Sequence, residues 1–207
     1  MKLSTKRHRK YWSERKIDWK TSYLDTWDHP HRALIVEALK TMPWVSLWEV
    51  GCGPGANLVK ITKELPGKQL GGSDVNEDAI ELARKVFLNG LFRTESAEDL
   101  LMSDRSVDVI LSDAALIYID PRSIHKVMNE LTRVARNHLV LCEFHSGNWF
   151  KRWFFRLKTG YNAYNYRKLL EKHGCYDISV FKIPKEVWPG TPWQTWGHII
   201  ICRVSHI

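Results

Sequence analysis

The stretch Trp48-Glu49-Val50-Gly51-Cys52-Gly53-Pro54-Gly55-Ala56-Asn57 decides the fold of this chain. An apolar run, 45–50, leads into a glycine-rich turn, and apolar residues at helical spacing (Leu58, Ile61, Leu65) follow it directly. This order predicts a strand, a tight loop and the start of a helix. Glycines let the backbone turn sharply and approach a ligand, and the free amides at a helix N-terminus attract anionic groups. The stretch therefore predicts a loop that holds a nucleotide-like cofactor.

The spacing of the glycines fits two classes of cofactor. Gly51-x-Gly53-x-x-Ala56 satisfies the dinucleotide-binding fingerprint, which accepts alanine at its last position. Two acids favour another class, because Glu49 stands two residues before the first glycine and Asp74 ends the next apolar run. In either class, a carboxylate at the position of Asp74 can accept hydrogen bonds from both hydroxyls of a ribose.

The pattern acid-x-Gly-x-Gly-x-Gly, followed by an acid that ends the second strand, resembles class I S-adenosylmethionine-dependent methyltransferases. The resemblance covers roughly residues 45–143. It implies an α/β, Rossmann-like fold in which helices cover both faces of a seven-stranded, mostly parallel sheet with an antiparallel last strand. It also implies that the cofactor is S-adenosyl-L-methionine.

The resemblance assigns the cofactor to the carboxyl ends of the first four strands. The loop 51–55 is expected to contact its methionine portion, Asp74 its ribose, residues 96–98 its adenine, and residues 112–114 its sulfonium and amino group. Many family members carry an aspartate where Ser96 stands, and a serine can still form one hydrogen bond to the adenine amine. No metal ligand is expected. The expected cofactor-binding residues are Glu49, Gly51, Cys52, Gly53, Gly55, Asn57, Asp74, Val75, Ser96, Ala97, Glu98, Ser112 and Asp113.

Length and composition predict one α/β domain. The 207 residues are 44% hydrophobic, which suffices for the buried core of a single domain of this kind. The net charge is +8, and much of the excess lies in a basic N-terminal arm. Such an arm could contact nucleic acid or anionic lipid, or it could simply be solvated. Its basic residues are Lys2, Lys6, Arg7, Arg9, Lys10, Arg15, Lys16 and Lys20.

The four cysteines, Cys52, Cys142, Cys175 and Cys202, are scattered and form no Cys-x-x-Cys pair. We interpret them as small core residues and expect neither a zinc site nor a disulfide framework. No apolar run approaches the roughly twenty residues that span a bilayer, and no apolar region follows the basic arm. We therefore expect a cytoplasmic protein.

Patterns along the chain predict a basic arm and helical cap in residues 1–44 and a single S-adenosylmethionine-binding domain in residues 45–207. One helix is predicted over residues 11–28, with its aromatic side chains on one face, and a second helix follows it. Two β-like runs, 176–181 and 197–204, close the chain, and their direct connection predicts an antiparallel pair.

Residues 148–158, within a predicted lid of residues 144–165, interleave tryptophan and phenylalanine with lysine and arginine. Three interpretations are open. The segment could be a lid over an apolar acceptor, a helix packed on the sheet edge with its basic face solvated, or a helix lying on a membrane surface.

Methyl transfer from a sulfonium is an in-line displacement, so catalysis can consist largely of positioning and desolvation. A base is needed only when the acceptor loses a proton. His145 is the first candidate because it follows the fifth strand at the active edge of the sheet, and histidine titrates near neutrality. Tyr118, after the fourth strand, and His29 and His31, in the N-terminal segment, are the other candidates.

The leading functional hypothesis is an S-adenosylmethionine-dependent methyltransferase that acts on a small molecule with an aromatic or apolar portion. An RNA or other nucleic-acid methyltransferase is the alternative that the basic arm supports. Against it, Ser112-Asp113-Ala114-Ala115 lacks the Asn/Asp-Pro-Pro-aromatic signature of enzymes that methylate base amines. A third hypothesis is a non-catalytic scaffold with the same fold.

Overall fold

A computed structural model describes residues 5–206. Seven strands form one sheet: β1 (Ser46–Val50), β2 (Gln69–Asp74), β3 (Leu91–Thr94), β4 (Val107–Asp113), β5 (Ala135–Phe144), β6 (Cys175–Lys182) and β7 (Gly197–Val204). Their order across the sheet is β3-β2-β1-β4-β5-β7-β6. The first five strands pair in parallel, and β7 lies antiparallel to both β5 and β6. The predicted fold class is confirmed.

The helices occupy the connections between the strands and the N-terminal segment. Asn76 caps one of them by accepting a hydrogen bond from the backbone N of Ala79 at 3.0 Å, a role that asparagine commonly fills at a helix N-terminus. Short 3₁₀ turns lie at Leu24–Thr26 and Leu116–Tyr118. The helices are α1 (Thr5–Ser13), α2 (Trp19–Ser22), α3 (Pro30–Lys40), α4 (Ala56–Glu64), α5 (Glu77–Val86), α6 (Ile124–Val134), α7 (Trp149–Thr159), α8 (Tyr166–Lys172) and α9 (Pro192–Trp196).

Two apolar cores lie on opposite faces of the sheet because side chains alternate along each strand. On β1, Leu47 packs into a core with α3, α4 and α5, whereas Trp48 packs into the other core with α6 and α8. Both side chains are almost fully buried. Helices therefore cover both faces, and the loops at the carboxyl ends of the parallel strands are left to form a site.

The prediction of one helix over residues 11–28 is wrong. Helix α1 ends at Ser13, and α2 begins at Trp19 because the Asp18 side chain accepts hydrogen bonds from the backbone N of Lys20 and Thr21. The predicted aromatic grouping still forms in part. The Trp12 ring lies 6.5 Å from that of Trp19 across the break, measured between centroids.

The dipeptide Asp120-Pro121 in the sequence predicts a cap for the helix after β4, but α6 begins only at Ile124, so this prediction is wrong. Asp120 instead anchors the N-terminal segment. Its Oδ2 accepts a hydrogen bond from the backbone N of Thr5 at 2.9 Å, and its backbone N donates to the Thr5 hydroxyl at 2.6 Å. The third strand ends at Thr94, so Ser96 lies in the loop beyond it.

The basic arm is folded onto the domain. Lys2 lies outside the described residues, whereas Arg9 pairs with Glu98 at 3.2 Å and Lys16 with Asp78 at 2.6 Å. The four cysteines are buried and unbridged, as predicted. Within residues 5–206, no helix is long and apolar enough to cross a membrane.

Gly51→Ala is expected to lower the free energy of unfolding by about 2–4 kcal/mol. Gly51 has φ +73°, and an added Cβ would stand 2.4 Å from the Ala115 Cβ, so the substitution combines backbone strain with a steric clash. Urea denaturation measures the loss. Gly67→Ala is the matched control, since Gly67 has φ +79° and no atom within 4 Å of its added Cβ. Equal losses in the two variants would remove the clash from the explanation.

Candidate active site

A cavity of about 390 Å³ lies at the carboxyl ends of β1, β2 and β4. Its floor consists of the glycine turn and the loops after β2 and β4, and its roof is the N-terminal cover, residues 5–32. Aromatic side chains make up much of the wall, which is typical of a site for a largely apolar ligand. They are Trp12, Trp19, Tyr23, Tyr118, Trp188 and Trp193.

The glycine turn and Asp74 are joined directly. The backbone N of Gly53 donates to Asp74 Oδ2 at 3.0 Å, and the backbone N of Asn76 donates to Oδ1 at 2.9 Å. Burial raises the pKa of Asp74. Gly53 has φ +52°, and an added Cβ would meet no atom within 4 Å, so this backbone faces open space. A ligand can therefore approach the main chain here.

Asn57 links two buried carboxyl groups at the ends of β1 and β4. Its Nδ2 donates to Glu49 Oε1 at 2.6 Å and to Asp113 Oδ2 at 3.0 Å. His31 Nε2 lies 2.8 Å from the same Asp113 oxygen. We call Glu49, Asn57, Asp113 and His31 the acid–histidine cluster. It connects the sheet to α3 of the N-terminal cover.

The two acids of this cluster hold different charges. Burial raises the pKa of Glu49 to about 8, although the hydrogen bond from Asn57 acts to lower it. Burial also opposes ionisation of Asp113, but the charge and hydrogen bond of His31, with Arg32 nearby, hold its pKa at about 2. Glu49 Oε2 is buried and has no hydrogen-bond partner among residues 5–206. A cationic ligand group would provide that partner and favour the ionised form of Glu49.

A second histidine extends the cluster. His29 Nδ1 lies 2.7 Å from His31 Nδ1, and because two lone pairs repel at this distance, the contact must contain a proton. The His29 ring stacks on Trp188 at 4.8 Å between centroids. Burial, followed by the charge of His31, lowers the pKa of His29. His29 is therefore neutral near pH 7 and able to accept a proton.

Glu143 on β5 organises the loop after β4, and the sequence did not indicate it. Its Oε1 accepts hydrogen bonds from the Ser112 hydroxyl at 2.9 Å and from the backbone N of Ala115 and Leu116 at 3.1 and 3.0 Å. Its Oε2 accepts from the backbone N of Ile117 at 3.2 Å. One fully buried carboxyl group thus fixes the loop that forms part of the cavity floor.

The structure brings most of the expected site residues to this cavity. The lining residues among them are Glu49, Gly51, Cys52, Gly53, Asn57, Asp74, Val75, Ser96, Ala97, Asp113, His29, His31 and Tyr118.

Four expected residues are not among the described residues that line it. Gly55 precedes α4, and an added Cβ there would stand 2.7 Å from the Phe87 ring. Glu98 pairs with Arg9, and Ser112 donates to Glu143. These three stand directly behind the lining, whereas His145, the fourth, lies apart.

His145 lies outside the cavity lining and contacts Tyr166, a residue of the core that contains α6 and α8. Its Nδ1 accepts a hydrogen bond from the backbone N of Tyr166 at 3.2 Å, and its ring stacks on the Tyr166 ring. Burial lowers the pKa of His145 to about 4. The histidines that the structure brings to the cavity are those of the N-terminal cover, including His29 and His31.

Tyr118 contributes a ring to the cavity wall. It makes an edge-on contact with Trp12 at 5.2 Å and with Tyr161 at 5.6 Å between centroids. Burial raises the pKa of Tyr118 above its usual range, so its hydroxyl keeps its proton near neutrality. No residue of the predicted lid, 144–165, is among the described residues that line the cavity.

Several lining residues were missed by the sequence analysis. The resemblance implies that the N-terminal segment helps to wall the pocket, but the aromatic spacing of residues 11–28 does not by itself say that Trp12 and Trp19 face it. Trp188 lies in a connection between the last two strands, and no local pattern indicates that it stacks on His29. Only the folded chain brings these segments together.

Comparisons with known proteins agree with this geometry. Residues 48–138 match the family model described as a methyltransferase domain. No curated protein matches the sequence. Magnesium protoporphyrin IX methyltransferase from Synechocystis PCC 6803 with bound S-adenosylhomocysteine has a TM-score of 0.62 and 16% identity, over 98% of this chain and 95% of that chain.

Two further solved structures show the same fold. Geranyl diphosphate methyltransferase in complex with geranyl diphosphate and sinefungin has a TM-score of 0.65 and 14% identity, over 85% of this chain and 78% of that one. The PH0226 protein of Pyrococcus horikoshii OT3 has a TM-score of 0.62 and 15% identity, over 94% and 95% of the two chains.

Strand order, the antiparallel β7 and the glycine turn define the class I S-adenosylmethionine-dependent methyltransferase fold. Residues 48–138 within this fold are similar to the family described as a methyltransferase domain. The predicted resemblance is confirmed, and the comparisons are consistent with the predicted cofactor.

Glu143→Gln is expected to lower the free energy of unfolding by about 2–4 kcal/mol, because a carboxamide replaces one acceptor oxygen by a donor in a fully buried position. Chemical denaturation measures this loss. Glu171→Gln on α8 changes the same groups at an exposed site and is expected to stay within about 0.5 kcal/mol of the parent. A Glu143→Gln protein as stable as this control would contradict the role of Glu143.

Proposed function

We propose that this protein is an S-adenosylmethionine-dependent methyltransferase for a small acceptor with an aromatic or apolar portion. The observation that carries the proposal is one covered cavity that joins the glycine turn and Asp74 to the acid–histidine cluster under an aromatic roof. The glycine turn and Asp74 are suited to bind a nucleoside. The acid–histidine cluster is suited to bind cationic groups and to accept a proton.

The residues present fit the proposed cofactor. Asp74 is positioned by the turn and offers carboxylate oxygens to ribose hydroxyls. The unpartnered Glu49 Oε2 and ionised Asp113 offer negative charge to an ammonium or sulfonium group. Gly53 leaves room for close approach to the main chain. When bound, S-adenosylmethionine supplies an activated methyl group.

The lining of the cavity supports a small and largely apolar acceptor. The rings of Trp12, Trp19 and Tyr118 come from the N-terminal cover and the loop after β4, so they enclose the space from two sides. Aromatic walls bind planar or apolar groups, and enclosure excludes water from the reacting atoms. An acceptor must therefore enter beneath residues 5–32 or displace them.

His29 is the group best placed to take a proton from an acceptor hydroxyl or amine. It lines the cavity and is neutral near pH 7, and its Nδ1 contacts His31, which is bonded to ionised Asp113. In the tautomer in which both rings are neutral and His29 Nδ1–H donates to His31 Nδ1, the Nε2 lone pair of His29 can accept a proton, and transfer of the Nδ1 proton to His31 then places the positive charge beside the Asp113 carboxylate. His31 acts as a positioning residue in this series of contacts from His29 to Asp113.

Calorimetric titration tests the cofactor assignment. S-adenosylmethionine and S-adenosylhomocysteine are expected to bind, NAD is not, and Asp74→Ala is expected to weaken binding at least about tenfold through lost ribose hydrogen bonds. Ionisation of Glu49 on binding adds a pH dependence. Affinity for S-adenosylmethionine is expected to rise with pH and to level off near pH 8, where free Glu49 ionises.

Two variants control this titration. Glu49→Gln removes the titrating group and is expected to flatten the pH dependence. Asp104→Ala changes an exposed aspartate that pairs with Arg133, outside the cavity lining, and is expected to leave affinity unchanged. Binding of NAD alone, or of none of the three ligands, would overturn the assignment.

The acceptor is sought by incubating the protein with small phenols, amines and indoles. Mass spectrometry then detects the gain of one methyl group. For an acceptor that loses a proton, His29→Ala is expected to lower kcat by about 10²–10⁴-fold with little change in KM. The lost rate is expected to return at higher pH, as the acceptor ionises by itself. His125→Ala, an exposed histidine on α6, is the control, and unchanged kcat in His29→Ala would exclude His29 as the base.

A further inference from the structure

Helix α7 leaves five large apolar side chains in solvent. At 100° per residue they occupy one continuous arc of about 140° around the helix. A contiguous exposed apolar surface of this kind marks an interaction site in a soluble domain. We call these residues the apolar arc: Trp149 (71% exposed), Phe150 (55%), Trp153 (52%), Phe154 (56%) and Leu157 (52%).

The helix is fixed in place from its other side. Phe155 is buried, stacks on Trp196 at 4.4 Å between centroids and contacts Phe144 edge-on at 5.5 Å. Asn148 caps the N-terminus, and Gly160 ends the helix in a left-handed conformation. The apolar arc is thus held outward by a packed helix, and its exposure does not come from a loose end.

The charges on α7 are all positive. Lys151, Arg152, Arg156 and Lys158 lie on the two borders of the apolar arc, and the helix contains no acidic residue. Within residues 5–206, none of the four forms an ion pair closer than 4.0 Å. Lys151 and Lys158 are exposed and available to an anionic partner, whereas Arg152 and Arg156 are half-buried and Arg152 Nη1 donates to the backbone O of Ser146 at 2.7 Å.

We propose that α7 docks this protein on an anionic lipid bilayer, with the apolar arc in the headgroup and acyl boundary and the exposed Lys151 and Lys158 against lipid phosphates. Tryptophan and phenylalanine on one face with lysine and arginine at its borders are the composition that an interfacial helix needs. The charge of the whole chain, +8, adds to the attraction.

The charges distinguish this occupant from the others. A second copy packed symmetrically through the apolar arc would bring Lys151 and Arg156 against the same residues of its partner, with no acid in α7 to compensate. A role as a lid is not supported by the arrangement, because no residue of α7 is among the described residues that line the cavity. A bilayer satisfies both the apolar and the basic surfaces.

The docked orientation has a consequence for the cavity. Helix α7 follows the carboxyl end of β5, at the sheet edge where the cavity lies, and the Tyr161 ring just beyond it contacts Tyr118 of the cavity wall. Docking through α7 therefore holds this edge of the sheet beside the lipid surface.

Vesicle flotation of the full chain tests the proposal. The protein is expected to float with vesicles of phosphatidylcholine and phosphatidylserine, and to bind pure phosphatidylcholine vesicles at least about tenfold more weakly. Trp153→Ser with Phe154→Ser is expected to weaken binding to the anionic vesicles at least about tenfold. The matched control is Phe181→Ser on β6, which removes a phenylalanine that is 56% exposed, as is Phe154.

A charge-reversal pair tests the second half of the surface. Lys151→Glu with Lys158→Glu is expected to weaken binding at least about tenfold, whereas Lys85→Glu with Lys185→Glu, the same change of charge at exposed sites elsewhere, is expected to have a smaller effect. Circular dichroism establishes that each variant folds, and the charge pair leaves the buried packing of α7 intact.

Three results would overturn the proposal. The first is no binding to the anionic vesicles. The second is binding that neither the apolar nor the basic pair of α7 changes more than its control. The third is a dimer in light scattering that Trp153→Ser with Phe154→Ser dissociates, since this would assign the apolar arc to a second copy.

Discussion

The contact between Asp113 and His31 joins the two halves of the site. Asp113 ends β4 in the centre of the sheet, and His31 belongs to α3 of the N-terminal cover, so this hydrogen bond of 2.8 Å joins the roof to the floor. Asn57 carries the connection on to Glu49 at the end of β1. Both acids are almost fully buried, and a buried ionised group is stable only when it is paired. The covered cavity depends on this pairing.

The same cluster sets a balance between folding and binding. The pKa of Glu49 is about 8 in the folded chain, against a usual value of 4.5, so between these limits the folded protein keeps a proton that the unfolded chain releases. Stability without ligand therefore falls as the pH rises through this window. A cationic ligand beside Glu49 reverses the penalty, because it favours the ionised carboxylate. Glu49 therefore destabilises the ligand-free protein in this pH range but can strengthen the binding of a cationic ligand.

The N-terminal cover and α7 treat their aromatic residues in opposite ways. Trp12 and Trp19 turn inward over the cavity, whereas Trp149 and Trp153 remain in solvent on α7. Both segments are rich in lysine and arginine as well as in aromatic residues, so composition alone does not separate them. The two segments are anchored differently. Asp120 and Asp113 hold the cover against the domain. Helix α7 packs on the domain through the face that includes Phe155, so the apolar arc on its other face stays exposed.

The sequence by itself determined the fold class, the glycine turn and the role of Asp74 as a candidate ribose ligand, because strand periodicity, turn glycines and strand-end acids are local patterns. It also selected His29 and His31, but it ranked them below His145. Only the tertiary structure decided between these histidines, since chain order does not say whether a strand-end residue faces a cavity or a core. The break between α1 and α2, the loop support from Glu143 and the stacking of Trp188 on His29 likewise arise from contacts between segments far apart in the chain.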